Sequence, residues 1–368
     1  MKREIFGIDL GTAYSSISYI DENGKPQILS NFEGQLMTPS VVFFEAPSEE
    51  GGKIKVTVGQ TAKNLGSLDP DNVVAFIKQK IGSDWKKEFY GMEFTPETIS
   101  AEIIKKLVRD AGELLQTKVE AVVITRPTHF ERASIKTAVQ LAGLNVIEII
   151  DEPVAAALHY GIYKDRTAIV YDLGATFNVA VISFAYYNKY TDDTVVCSDG
   201  DQQLGGKLWD ERLVNLIASK FAEQTGMKVQ EILNDRETYY ELTLIAETAK
   251  IHLSNEPVWK GRIPFGGNKK TVEITREEFD KNTKDLLART EELTQAVINR
   301  AKNRGVDKID DFLLVGGSTK MPQVLEMIKK RFASQVENEP SCFEPEFAVA
   351  KGAAIFETID RIVEIMWA

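Results

Sequence analysis

Two cysteines and three histidines in 368 residues leave little material for several common chemistries. Cys197 and Cys342 lie far apart and form no CxxC pair, so neither a disulfide framework nor a zinc site is expected, and a reducing compartment fits. His129, His159 and His252 stand at no metal-binding i, i+4 spacing and read as structural. No Ser-His-Asp or Cys-His constellation can be assembled, and no Walker-type lysine loop occurs. No apolar run approaches the ~20 residues that span a bilayer. Only four residues precede the first apolar run, which leaves no room for a signal peptide. A strongly basic segment is missing as well. The net charge is −11, and the densest basic run, Lys329-Lys330-Arg331, has the pattern of a solvated helix face. Nucleic acid and membrane are therefore not expected as partners. The expected compartment is the cytoplasm.

What is present is a length suited to about two domains or lobes and an ample 43 % hydrophobic content. An apolar run at 5–10 ends in Asp9-Leu10-Gly11-Thr12, and a strand-like pattern resumes at 16–20. Further strands are expected at 40–44 and 55–58, with a surface loop at 46–53. Ile99, Ile103, Leu107, Ala111 and Leu114 recur on one face of a helix over 95–116, with Pro96 in its first turn. A strand at 121–124, a helix at 132–142 ending at Gly143, a strand at 148–150 and a helix at 153–160 ending at Gly161 follow. Then the opening pattern returns. A strand at 167–171 runs into Asp172-Leu173-Gly174-Ala175-Thr176, and another strand follows at 179–184. Repetition of Asp-Leu-Gly and Thr between two strands marks a duplicated unit. Helices are expected at 208–224, 236–254, 276–303, 322–332 and 345–363, and a strand at 312–315.

Each of these loops has a chemical logic. An aspartate at a strand end can hold a metal ion directly or through water, glycine admits a phosphate without a Cβ clash, and threonine adds a hydroxyl. One such loop is more often a tight turn. Two facing each other would grip a phosphate chain from both sides, with Mg²⁺ between Asp9 and Asp172. Gly316-Gly317-Ser318-Thr319, between a buried strand and the helix opening at Pro322, suits a nucleotide phosphate or ribose, or is simply a strand-to-helix turn. Gly205-Gly206 has the same two readings, whereas Gly266-Gly267 reads as a hairpin turn. By spacing alone, Glu152 is a helix-start acid and Lys78 an ordinary surface lysine.

The sequence resembles the nucleotide-binding domain of heat-shock-70-type chaperones, within the actin-like ATPase superfamily. The likeness runs from Gly7 to about Ile359. It is carried by Gly7 to Thr12, Thr38 to Val41, Val58-Gly59, Ile149 to Pro153 with Ala155 to Ala157, and Asp172 to Gly174. Further on it is carried by Gly200-Asp201 with Leu204 to Gly206, Glu247 to Lys250 with Leu253-Ser254, Val315 to Thr319, and Ala348 to Ala350 with Gly352 to Ala354. The resemblance implies an α/β, two-lobed actin-like fold with duplicated ribonuclease H-like sheets and a nucleotide cleft between lobes. Lobe one would be 1–163 with a helix at 344–368 crossing back, and lobe two 164–343. It implies an ATPase that uses ATP/ADP, Mg²⁺ and K⁺, serves a stress-response chaperone, and meets a nucleotide-exchange factor and a J-domain co-chaperone.

Site roles follow from the same resemblance. Asp9 and Asp172 would hold the Mg²⁺ water shell. Lys78 would contact the γ-phosphate, Glu152 would position the attacking water, and Thr12 and Thr176 would contact phosphate. Gly11, Ala13, Gly174, Gly205, Gly206 and Ser318 would line the cradle. Glu247, Lys250 and Ser254, with Gly316, Gly317, Lys320 and Glu346, would form the nucleoside pocket. Five departures stand out. The second loop is one residue short, Asn178 replaces an acid, Ile251 replaces the arginine that stacks on adenine, and Lys320 and Lys207 stand where Arg and Glu are usual. They open a second reading, a catalytically weak nucleotide-binding regulatory module. A third is a polymerising actin-like protein. The family's apolar linker and peptide-binding domain are expected to be absent from this chain.

Overall fold

A computed structural model describes residues 5–49, 52–162, 165–184, 194–356 and 358. Two mixed sheets organise it. The first has the order Asn145–Asp151, Ala121–Arg126, Phe6–Asp9, Tyr14–Ile20, Pro26–Ile28, with Thr38–Pro39 also paired to the fourth of these strands. The second has the order Val195–Asp201, Phe177–Ser183, Thr167–Leu173, Asp311–Val315. In both, three consecutive strands form an antiparallel meander, and a later strand adds in parallel to the open side of the first. A parallel neighbour needs a long crossover. The helix Pro96–Leu115 lies within the crossover of the first sheet, and the second crossover includes the helices Gly206–Thr225, Arg236–Asn255 and Arg276–Asn303. The duplication read from the two Asp-Leu-Gly loops is thus repeated in the strand order.

Burial explains the strands. Asp311–Val315 is buried at every position, as a parallel strand covered on both faces should be. Caps explain the helices. Thr95 and Thr98 form a capping box ahead of Pro96–Leu115, with Pro96 in the first turn, and Thr275 with Glu278 does the same for Arg276–Asn303. Ile99, Ile103, Leu107 and Ala111 are buried as the periodicity predicts, but Leu114 is exposed. It lies in the last turn, where left-handed Gln116 takes the chain away from the core. The Gly266-Gly267 hairpin is present. Both glycines have positive φ, and Phe265 pairs with Asn268 across the two-residue turn. The elements that periodicity missed are mostly short: the helices Gln60–Leu65 and Val229–Asn234, and the strands Val73–Ala75 and Val195–Asp201. Of the expected last helix, Ala348–Phe356 is helical; residues 357 and 359–363 lie outside the described residues, as do Glu50, Gly51 and the expected lobe boundary at 163/164. Among the described residues no helix is long and apolar enough to cross a membrane.

Each sheet has its own apolar core. One contains Ile8, Ile103 and Ile124, the other Tyr171, Trp209 and Phe312. A third core joins them. It contains Val123 and Ile150 from the first sheet, Val170 and Leu313 from the second, and between them the helices Glu152–His159 and Ala348–Phe356. Those two helices meet through Ala and Gly. A Cβ placed on Gly352 would lie 1.7 Å from the carbonyl oxygen of Ala155. No side chain can yield there, because the obstacle is backbone.

Gly352→Ala is therefore expected to lose at least about 1–3 kcal/mol of stability, the usual penalty of overpacking a filled core. Urea unfolding would show it as a lower midpoint at unchanged slope. An unchanged midpoint would mean that the two helices part without cost.

Candidate functional site

The two sheets present their Asp-Leu-Gly turns to a common space. Asp9 closes the strand Phe6–Asp9 and pairs in register with Ser16. Asp172, on Thr167–Leu173, pairs with Asn178 on one side and Val315 on the other. Four residues, Leu10 to Ala13, connect the first pair of strands, and three, Gly174 to Thr176, connect the second. The second turn is thus the tighter one. Gly174 N–H donates to Thr176 O at 3.0 Å within it. The first turn is braced from outside. Ser40 Oγ donates to the Gly11 carbonyl at 2.8 Å, and Ser40 N–H to the Ala13 carbonyl at 2.8 Å.

Two further ionisable groups enter the same space. Lys78 rides on a single 3-10 turn, Ile77–Lys80, that follows the strand Val73–Ala75, and it is 5 % exposed. Glu152 is the first residue of the helix Glu152–His159. Lys78 Nζ and Glu152 Oε1 form a buried ion pair at 2.5 Å. Burial alone would pull the lysine down, but Glu152 and Asp9 together hold it above its usual range. Burial pushes Asp9 up to about 7, an effect that Lys78 opposes and Glu152 reinforces. Burial pushes Asp172 up to about 8, with Glu152 and Asp9 adding to it. The one ammonium is engaged by Glu152, so the two aspartates are left short of positive charge. Among the described residues no three His, Cys, Asp or Glu side chains converge as a ready-made metal cage. A donor set of two carboxylates fits a hard cation that keeps most of its water, as Mg²⁺ does.

The glycine loops converge beside this centre. Gly206 N–H donates to the Gly174 carbonyl at 2.8 Å, and Lys250 Nζ donates to the Gly206 carbonyl at 3.0 Å. A Cβ on Gly206 would lie 2.4 Å from Ser318 Oγ. Gly205, the residue before the helix Gly206–Thr225, packs on Ala175, and Gly316 packs on Leu173. Gly317 faces open space. Thr176 is buried, and Asn178 Nδ2 donates to its hydroxyl at 3.4 Å. Asn178 lines one small cavity together with Glu152 and Asp172.

The remaining expected residues fall into separate pairs. Lys320 Nζ bonds Glu346 Oε1, while Glu346 Oε2 is buried without a partner. Ser254 Oγ is turned back on the carbonyl of Lys250. Ile251 is 59 % exposed. Glu247 is held by Lys63 and by Tyr14 Oη, neither of which the sequence pattern singled out. Sequence reasoning also missed Asp210. Its Oδ2 takes a 2.8 Å bond from Lys250, its Oδ1 is buried without a partner, and burial pushes it up to about 6 against the pull of Lys250. The only signal for Asp210 was an acid one turn into the helix that opens at Gly206.

Comparison with known proteins gives a consistent result. The family described as Hsp70 protein matches residues 5–90 and 85–362. The chain is similar to chaperone protein DnaK of Thermotoga neapolitana, 37 % identical over 370 residues, which cover 96 % of this chain and 59 % of that protein. DnaK proteins of Thermotoga petrophila and Thermotoga maritima are each 37 % identical over 368 residues with the same coverage. The chain thus spans about 59 % of the length of these relatives.

The raised aspartates give a pH test on metal-free protein. Asp172 moves from 3.8 to about 8, so its ionisation is harder in the folded chain. The protonated form contributes stability in full below about pH 4, and that contribution is lost as pH climbs to about 8. Asp172→Asn lacks this loss. In EDTA its urea midpoint should gain on the parent's between pH 5 and pH 9; parallel curves would show that Asp172 ionises without penalty.

Proposed function

This chain belongs to the Hsp70 protein family and has its two-lobed, actin-like α/β fold, and we propose that it is a Mg²⁺-dependent domain that binds ATP and slowly hydrolyses it. The lobes are proposed as 1–163 with 344–368, and 164–343. One observation carries the reading: two copies of a strand–turn–strand unit deliver Asp9 and Asp172 to the space that holds the buried Lys78–Glu152 pair. Asp9 and Asp172 would hold hydrated Mg²⁺, which neutralises charge on the phosphate chain when bound. Gly11, Thr12 and Ala13 from one side, and Gly174, Thr176, Gly205 and Gly206 from the other, would cradle the phosphates. The backbone N–H groups at the start of the helix Gly206–Thr225 favour an anion.

Hydrolysis then needs a positioned water and little covalent help. Glu152 is the candidate to orient that water and draw off its proton. Lys78 holds Glu152 in place through their ion pair and offsets charge that develops on the transferred phosphoryl group. For the nucleoside, Glu247, Lys250 and Ser254 would supply one wall, and Gly316, Gly317, Ser318, Lys320 and Glu346 the other. The unpartnered buried oxygens of Asp210 and Glu346 suit hydroxyl or amine donors. Ile251 offers the base only apolar contact. K⁺ as a second ion, a J-domain co-chaperone and an exchange factor as partners, the cytoplasm as compartment, and service to a chaperone in stress belong to the same proposal.

Single-turnover hydrolysis of Mg²⁺-ATP tests it. Glu152→Gln should slow the step by about 10²–10⁴-fold, with ATP affinity by calorimetry changed less than about twofold. Equal losses of rate and affinity would make Glu152 a binding residue instead.

A second reading, a nucleotide-binding module with little turnover, is favoured by one contact. Asn178 Nδ2 donates to the Thr176 hydroxyl, within a turn one residue shorter than its counterpart. Asn178→Asp, alone and with a glycine inserted after Gly174, should raise the single-turnover rate severalfold. If neither change speeds it, this turn does not limit catalysis.

A further inference from the structure

We propose that Lys207 is a positioning residue that acts across the cleft, through Phe76, on Lys78. The inference rests on the ATPase reading of the same centre. The turn Ile77–Lys80 that carries Lys78 is entered from Phe76, whose φ of 58° and ψ of 26° are left-handed. A bulky aromatic residue rarely takes that conformation, and it persists where surrounding contacts hold it. Two of those contacts come from the segment that belongs to the second sheet. Lys207 Nζ stands 4.6 Å from the centroid of the Phe76 ring. Gln79 Nε2 donates to the carbonyl of Gln202 at 2.8 Å.

The position of Lys207 needs a reason of this kind. It is the second residue of the helix Gly206–Thr225, where a cation opposes the helix dipole, and no acid occupies that first turn. Its nearest carboxylate is Glu211, at 3.9 Å, and both side chains are well exposed, so that pair adds little. The electron-rich ring face supplies the missing attraction. On its other side the same helix start is tied to the second phosphate turn by the bond from Gly206 N–H to Gly174 O. Gly174, Gly206, Lys207, Phe76, Lys78 and Glu152 therefore form one continuous chain of contacts. It reaches from the phosphate cradle of the second sheet to the ion pair of the first.

Removing the charge should let the Phe76–Lys80 turn relax without touching the cradle. Lys207→Met is expected to slow single-turnover ATP hydrolysis about two- to fivefold, the weight of an exposed cation–π contact. ATP affinity should stay within about twofold, and Lys207→Arg should restore the rate. Phe76→Leu should slow the step by a similar factor, and adding Lys207→Met to it should slow it no further. Additive losses, or a loss that arginine does not repair, would overturn the proposal. A second measurement does not depend on turnover. In nucleotide-free protein, hydrogen exchange at the amides of Gln79 and Ile81, which bond to Phe76 O and Lys78 O, should rise two- to fivefold in Lys207→Met. Exchange in the helix Arg276–Asn303 should stay unchanged. If the parent does not hydrolyse ATP, the ATPase reading fails and the exchange result still decides the role of Lys207; unchanged exchange at that turn rejects it.

Discussion

Three carboxyl groups and one ammonium share one space, in which Lys78 and Glu152 are buried and Asp9 and Asp172 half-buried. Ionising the whole set is unfavourable by itself, because each charge loses hydration and one cation would have to balance three anions. The rest of the structure nonetheless holds the groups together. Glu152 is fixed by a helix start, Lys78 by the short turn after the strand Val73–Ala75, and the two aspartates by the ends of strands in separate sheets. None of these groups can swing out to solvent without dismantling an element. Asp9 and Asp172 are therefore hard to ionise without help, and burial pushes them up to about 7 and about 8. Protons relieve the crowding until a cation takes their place, which ties the charge of the cleft to the ligand that brings one.

The duplication makes this arrangement possible, and it was legible because it is written twice. Asp9 and Asp172, each at a strand end and each followed by Leu-Gly, predict two equivalent hairpins, and the two sheets repeat the same strand order. Long helices were legible for a different reason. Arg276–Asn303 starts where predicted because Thr275 and Glu278 cap it locally. In the site, Asp9, Asp172 and the glycine loops could be argued from residue chemistry alone.

The rest of the site is made by tertiary contact and left no local trace. Lys78 has no distinguishing spacing, and only family resemblance singled it out. Lys63 lies on Gln60–Leu65, a helix too short to show two turns of periodicity, yet it reaches Glu247 more than 180 positions away. Ser40 braces the first turn from between the strands Thr38–Pro39 and Val41–Glu45. Val195–Asp201 escaped notice because Asp199, Gly200 and Asp201 are poor strand formers, and the pairing with Phe177–Ser183 overrides their preference. Phe76 is unremarkable in the sequence and Lys207 is marked only by its departure from the family; their meeting is a tertiary contact that neither residue announces.

The joint between the sheets is built from Gly352, Ala353 and the alanines of the helix Glu152–His159. Helices bearing larger side chains lock together as ridges in grooves, and turning one against the other means resetting rotamers. Methyl groups and bare backbone have no rotamers to reset. This contact therefore fixes how far apart the two helices stand while leaving the angle between them cheap to change. Such a contact would serve as a bearing: Glu152, at the start of one of its two members, would sit close to the axis and keep its place if the outer parts of the molecule turned.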